Sequence, residues 1–196
     1  MMKKYLYLIF LTLTMASCNR HFTPNEQATI RAGEGDIMYV LSVAEADDSL
    51  RLREKCLPVS EQMLGSEDYA LLRRRMLATV QNPENEGVGI AAPQVGISRR
   101  MVAVQRFDKQ GEPFEFFLNP EIVEFIGEKK DGGEGCLSVP EIYGNVERWQ
   151  HIRLRYRDEQ FVEREEEVEG FTAVIFQHEL DHLDGKLFID YLNSVE

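Results

Sequence analysis

The sequence predicts an α+β fold, with strands through the middle of the chain and a buried helix near its end. Two observations carry this. Residues 101–105, 114–118, 122–126 and 152–156 are short runs of β-branched, aromatic and aliphatic residues set off by turn residues, and residues 161–169 form a charged strand. After them, Phe171, Val174, Ile175, His178 and His182 recur at helical spacing. Strands followed by a helix that must bury one face give this class rather than alternating βαβ units. The length, 196 residues, suits one domain of ordinary size, and 43% hydrophobic with 29% charged residues is globular composition. The net charge of −12 argues against direct nucleic-acid binding, which needs a basic surface.

From the N-terminus, residues 1–18 form a separate unit. Lys3 and Lys4 precede an apolar run from Tyr5 to Met15, and Ala16-Ser17-Cys18 follows. The run is too short to span a bilayer as a helix, and it has the charged, apolar and small-residue regions of an export signal. The cysteine after small residues resembles a bacterial lipoprotein processing site, so export and membrane anchoring through Cys18 are expected. The alternative is an uncleaved extension on a cytoplasmic protein. Residues 19–35 are polar, contain Pro24, Gly33 and Gly35, and read as a tether. Residues 36–196 read as the functional domain.

Within that domain, Met63, Leu64, Leu71, Leu72, Met76, Leu77 and Val80 suggest one or two helical segments ended by Asn82-Pro83. Arg73-Arg74-Arg75 fans around that helix and reads as a solvated face. The strands 101–105 and 114–118 flank the turn Asp108-Lys109-Gln110-Gly111. The glutamates of 161–169 read as a solvent-facing sheet edge, where charge discourages edge pairing. A last helix covers residues 171–183.

That helix carries the chemistry. In His178-Glu179-Leu180-Asp181-His182, two histidines four apart share one helix face, so both imidazoles can reach one metal ion. Glu179 can reach a water bound to it. The bland alternative is a polar face that happens to hold two histidines, but here they continue the apolar stripe. A catalytic metal takes a third protein ligand and keeps one open position. Cys136, in Glu134-Gly135-Cys136-Leu137-Ser138, is the candidate, its alternative being a buried structural cysteine. The chain has three cysteines and no Cys-x-x-Cys pair, which excludes a four-thiolate structural site. In residues 87–96, Gly87-Val88-Gly89-Ile90-Ala91-Ala92-Pro93-Gln94 lacks the phosphate-loop ending. It is either a tight turn or a close backbone approach to a ligand, with Gln94 as a hydrogen-bond donor.

Taken in order, the segments 87–94, 134–138 and 177–183 resemble the three motifs of the peptide deformylases, without a break at any motif position. Leu52-Arg53-Glu54-Lys55-Cys56-Leu57-Pro58-Val59 resembles the family's opening, with Cys56 in place of a small packed alanine. The resemblance covers about residues 36–196. It implies antiparallel sheets wrapped around the C-terminal metal-bearing helix, and hydrolysis of the N-formyl group from N-terminal methionine in peptides or nascent chains. Cys136, His178 and His182 would hold the metal, implied to be Fe2+, with Zn2+, Ni2+ or Co2+ able to replace it. A water on that metal would be the nucleophile and Glu179 its base. Gln94 and the Leu137 backbone N–H would stabilise the formyl oxygen. Val88, Gly89 and Gly135 would line the substrate backbone, and Phe171, Val174 and Ile175 the methionine pocket. Glu134 and Arg148 would pair in support of a ligand, unless they form only a surface contact. Two rivals are a zinc peptidase built on the same pentad and a non-catalytic peptide-binding lipoprotein. Cys136 with Gln94 argues against the first, and the presence of Glu179 against the second.

Overall fold

A computed structural model describes residues 20–85 and 87–192. The leader, residues 1–18, lies outside them. Among the described residues four helices come first: α1 (Pro24–Arg31), α2 (Ala46–Leu52), α3 (Glu61–Leu64) and α4 (Glu67–Val80). Strand β1 (Gly89–Ala91) runs into a single 3-10 turn, Ala92–Val95. Then follow β2 (Met101–Gln105), β3 (Phe114–Cys136), β4 (Val139–Arg157), β5 (Glu163–Glu169), helix α5 (Gly170–Leu183) and a last turn of helix, α6 (Ile189–Leu192). Among the described residues the strands form one antiparallel meander in the order β1-β2-β3-β4-β5. This is the α+β arrangement of antiparallel strands and a C-terminal helix that the resemblance implies. The sheet's two long strands are broken by four register shifts, and such bulges bend a ladder without ending it.

The central strands are buried on both faces. In β2, Met101 and Ala103 pack with Ile30 of α1 and with Leu72, Met76 and Val80 of α4. Their neighbours Val102 and Val104 pack with Ala173, Ile175, Phe176 and Leu180 of α5. Phe116 and Leu118 of β3 join the first cluster, and Phe117 the second. Because alternate side chains leave opposite faces of a strand, a continuous apolar run is what such a sandwiched strand requires. Helix α5 therefore sits against one face of the sheet, touching β1, β2, β4 and β5.

Three expectations need correction. Residues 24–31 are not tether. Thr23 and Glu26 form a reciprocal capping box, Pro24 opens the helix, and Ile30 is buried. Glu26 then receives two hydrogen bonds from the buried Arg99, at 2.6 and 2.9 Å. The segments 122–126 and 114–118 are one strand. Between them Asn119 adopts a positive φ of 50°, its side chain bonds both the N–H and the carbonyl of Val59, and the register shifts across Pro120, which has no N–H for the ladder. Finally, Arg75 is buried rather than solvated, donating to the Ile30 carbonyl at 2.6 Å. Arg73 covers the Phe116 ring and pairs with Glu159. The charged strand β5 does lie at the sheet edge. Its Glu163, Glu165 and Glu167 pair across to Arg157, Arg155 and Arg153.

Candidate functional site

Helix α5 starts directly after β5, so its apolar stripe is pinned against the sheet and its two histidines point along one face. Their ring centroids are 5.1 Å apart. Cys136 is the last residue of β3, and Leu137-Ser138 forms the two-residue tip before β4. That tip brings the thiol to the helix: Cys136 Sγ lies 3.3 Å from His182 Nε2. One ligand atom each of Cys136, His178 and His182 fall within 4.8 Å of one another. A tetrahedral ion with ordinary thiolate and imidazole bond lengths would space sulfur and nitrogen at about 3.6 Å. The three residues fit one ion, and a three-ligand set leaves the fourth position open.

His178 is held from behind. His178 Nδ1 is 2.8 Å from Glu134 Oε2, which leaves Nε2 for the ion. Glu134 receives two more bonds from Arg148, at 2.7 and 3.1 Å, and Arg148 also bonds Asp181 at 2.6 Å. Tyr191 of α6 donates its hydroxyl to Asp181 at 2.9 Å and lays its ring 4.7 Å from the Arg148 guanidinium. Both partners of the Glu134–Arg148 pair are buried, so it is not a surface contact. Gln94 is oriented in the same way. Its Oε1 accepts from the Ala91 N–H at 2.8 Å, so its NH2 must face Ser138 Oγ and Cys136 Sγ, at 3.4 and 3.6 Å. The amide end that donates is the one aimed at the site.

The electrostatics follow from burial and these partners. Without an ion, burial opposes a charge on His178, but the bonds to Cys136 and Glu134 outweigh it and raise its pKa well above the ordinary histidine range. Burial and then the His178 charge push His182 well below it. Burial alone would raise Glu134, yet His178 and Arg148 hold it below the usual carboxylate range. Burial pushes the Glu179 carboxyl up to about 7, with His178 pulling it back and Glu134 pushing it further. Its Oε2 is buried without a hydrogen-bond partner, as is His182 Nδ1. A buried unpaired carboxylate oxygen is costly unless a ligand completes it.

Every expected site residue reaches this place. Cys136, His178, Glu179, Gln94 and Leu137 line one groove of about 530 Å³, and His182 lies buried behind them. Val88, Gly89 and Gly135 line the same groove, together with Phe171, Val174 and Ile175. Gly89 is required there, because a Cβ would stand 2.4 Å from Glu179 Oε1. Sequence reasoning missed Ser138, Asp181 and Tyr191. Asp181 was visible inside the pentad, where it looked like a spacer between the histidines. Tyr191 carries no local signal, since only the fold brings it to Arg148.

Residues 40–196 match the polypeptide deformylase family. The chain belongs to that family. It is 40% identical over 152 residues to a peptide deformylase of Leptospira biflexa, covering 74% of this chain and 84% of the relative. It is 42% identical over 159 residues to peptide deformylase 2 of Xanthomonas axonopodis pv. citri, covering 81% and 91%. Among solved structures it resembles the Met-Ala-Ser-bound class I type b peptide deformylase of Acinetobacter baumannii. That match has a TM-score of 0.70 at 38% identity and covers 79% of this chain and 98% of that one.

Proposed function

We propose that this chain hydrolyses the N-formyl group of N-terminal methionine in peptides and nascent chains, releasing formate and a free amine. The observation that carries the reading is the convergence, in one groove, of a Cys-His-His ligand set, an unpartnered buried carboxylate and an amide NH2 aimed at them. Cys136, His178 and His182 would hold the ion, which when bound would supply the Lewis acidity that lets water act as a nucleophile at neutral pH. Fe2+ is the ion we assign, with Zn2+, Ni2+ and Co2+ as replacements, since this ligand set suits several transition metals.

The chain's own residues do the rest. Glu179 takes the proton of the attacking water and delivers one to the leaving amine. Its dry surroundings keep both protonation states within reach near neutrality. Gln94 and the Leu137 N–H donate to the formyl oxygen as negative charge develops on it, an effect typically worth about 10²–10³ in turnover per donor. Gly89 lets the substrate backbone approach, with Val88 and Gly135 beside it. Phe171, Val174 and Ile175 form the apolar wall for the methionine side chain. The peptide bound by the A. baumannii relative supports a groove that admits a short methionyl peptide.

The test is formate release from formyl-Met-Ala-Ser by metal-loaded protein, run beside an unformylated peptide. Formate from the first and no cleavage of the second is expected. Cleavage of internal peptide bonds without formate would make the chain a peptidase and refute the reading.

A further inference from the structure

The two donors assigned to the formyl oxygen come from separate pieces of chain. Gln94 sits on the 3-10 turn, and the Leu137 N–H on the tip between β3 and β4. Among the described residues no backbone bond runs directly between turn and tip. A third segment joins them. The Leu41 N–H donates to the Gln94 carbonyl at 2.7 Å, and the Val43 N–H donates to the Ser138 carbonyl at 2.9 Å. Ser138 directly follows Leu137. Two residues of extended chain span about 7 Å, so residues 41–43 are a spacer of fixed length between the two donor segments.

The spacer is itself held in place. Met38 and Leu41 are buried, and the Met38 N–H donates to Thr79 Oγ1 of α4 at 2.8 Å. Ser42, between the two bridging residues, gives its N–H to a different partner, Asp48 Oδ2, at 3.3 Å. Alternate amides facing opposite ways are what an extended backbone gives. The same Asp48 oxygen accepts the Tyr39 hydroxyl at 2.8 Å. Asp48 lies in the first turn of α2. That helix is tied to the end of the 3-10 turn by Arg51, which donates to the Gly96 carbonyl at 2.8 Å. One carboxylate oxygen thus fixes the spacer from outside the groove, which neither Asp48 nor Tyr39 lines.

We propose that residues 38–43 are a strap that sets the separation of Gln94 and the Leu137 N–H, and that Asp48 and Tyr39 are positioning residues for formate release, acting through that strap. This rests on the deformylase reading and adds to it residues that lie outside the groove. Donors of this kind act on charge that develops only in the transition state. A displaced pair should therefore slow turnover and leave substrate binding almost unchanged. A misplacement of about 1 Å can cost about 10²-fold. A strap released at Asp48 is still bonded at Thr79, Gln94 and Ser138, so it should move by less.

The test measures formate release from formyl-Met-Ala-Ser, with rates taken per bound metal so that any unfolded fraction drops out. Asp48→Ala should lower kcat about 10-fold, with KM within about 2-fold of wild type. Asp48→Asn keeps an oxygen that can accept both bonds and should restore kcat to within about 2-fold of wild type. Tyr39→Phe, at an exposed residue, removes one bond only and should cost about 3-fold, which keeps the inference testable if Asp48→Ala folds poorly. In a Gln94→Ala background one donor is already gone, and the cost of Asp48→Ala should shrink to about 2-fold, because groups that act as a unit are not additive. Undiminished kcat in both Asp48→Ala and Tyr39→Phe, a loss confined to KM, or an equal loss in the Gln94→Ala background would overturn the inference while leaving the deformylase reading intact. Asp48→Asn as slow as Asp48→Ala would overturn it too, by assigning the loss to charge. Absence of formate from the metal-loaded wild type would overturn both.

Discussion

Replacing Arg148 by methionine should loosen the metal centre from behind. The Arg148 side chain is 7% exposed and bridges Glu134, at 6%, to Asp181, at 16%. Methionine fills much of the space and removes three charge-assisted bonds. Glu134 is then left with His178 alone, and Asp181 with the Tyr191 hydroxyl. Breaking a buried pair from one side costs about 3–5 kcal/mol, because the surviving charge stays buried. Asp181 is the less buried acid and can recover some hydration, so the low end, about 3 kcal/mol, is expected. For a chain of this size that corresponds to a fall in Tm of about 6–12 °C. The loss should also reach the ion. Glu134 orients His178, and removing such a partner typically weakens metal affinity about 10–100-fold. Thermal unfolding of the ion-free protein and competition titration with a chelator read the two effects separately. Arg148→Lys should fall between, since it keeps the charge but loses the planar fork. If Arg148→Met left both Tm and metal affinity unchanged, the support network would have no energetic meaning and the reasoning from it would fail.

Glu179→Gln should keep the ion and lose most formate release, about 10²-fold or more; near-full turnover would remove Glu179 from the proton transfer. Gly89→Ala places a Cβ 2.4 Å from Glu179 Oε1 and 2.9 Å from Ile175 Cγ2, so turnover should fall about 10-fold or more with metal content unchanged, and wild-type rates would show that the wall yields. Glu26→Gln strips Arg99 of its carboxylate partner, leaving the Pro58 carbonyl at 3.3 Å, and should cost about 3 kcal/mol in denaturant titrations. In the wild type, burial opposes the charge on Glu26 but the Arg99 bond wins and lowers its pKa. Its contribution is therefore complete above the unfolded value of about 4.3 and lost as pH falls through the folded one. The variant should show a shallower acid limb, and an unchanged limb would count against the ion pair. The full-length protein should fractionate with membranes and Cys18→Ala should alter its processing; an uncleaved wild-type chain in the soluble cytosol would favour the plain N-terminal extension.

The site was readable in sequence because its chemistry is local. Two histidines on one helix face, a base beside the first and a cysteine among glycines are constraints that neighbouring residues must satisfy together. The docking of α1 was not readable for the opposite reason. Its eight residues present one buried aliphatic side chain, Ile30, and are held by Glu26, Arg31 and the capping box. A polar segment anchored through charges looks like a solvated one until its partners, Arg99 and Asp68, are located. Arg75 misled similarly, since a guanidinium buried against a helix-end carbonyl has no signature of its own. The union of 114–118 with 122–126 was hidden by Asn119-Pro120, which ends most strands but here sits in a bulge fixed by Val59.

The double burial of β2 has a dynamic consequence. Its amides and carbonyls are paired to β1 on one side and β3 on the other, while Met101 and Ala103 anchor one core and Val102 and Val104 the second. No partial opening can expose this strand without dismantling both cores. Its amide protons should therefore exchange with solvent deuterium only through global unfolding, whereas those of β5, at the open edge, exchange through local fraying. The helix that carries the histidines and the helices at the N-terminus would then melt as one cooperative unit.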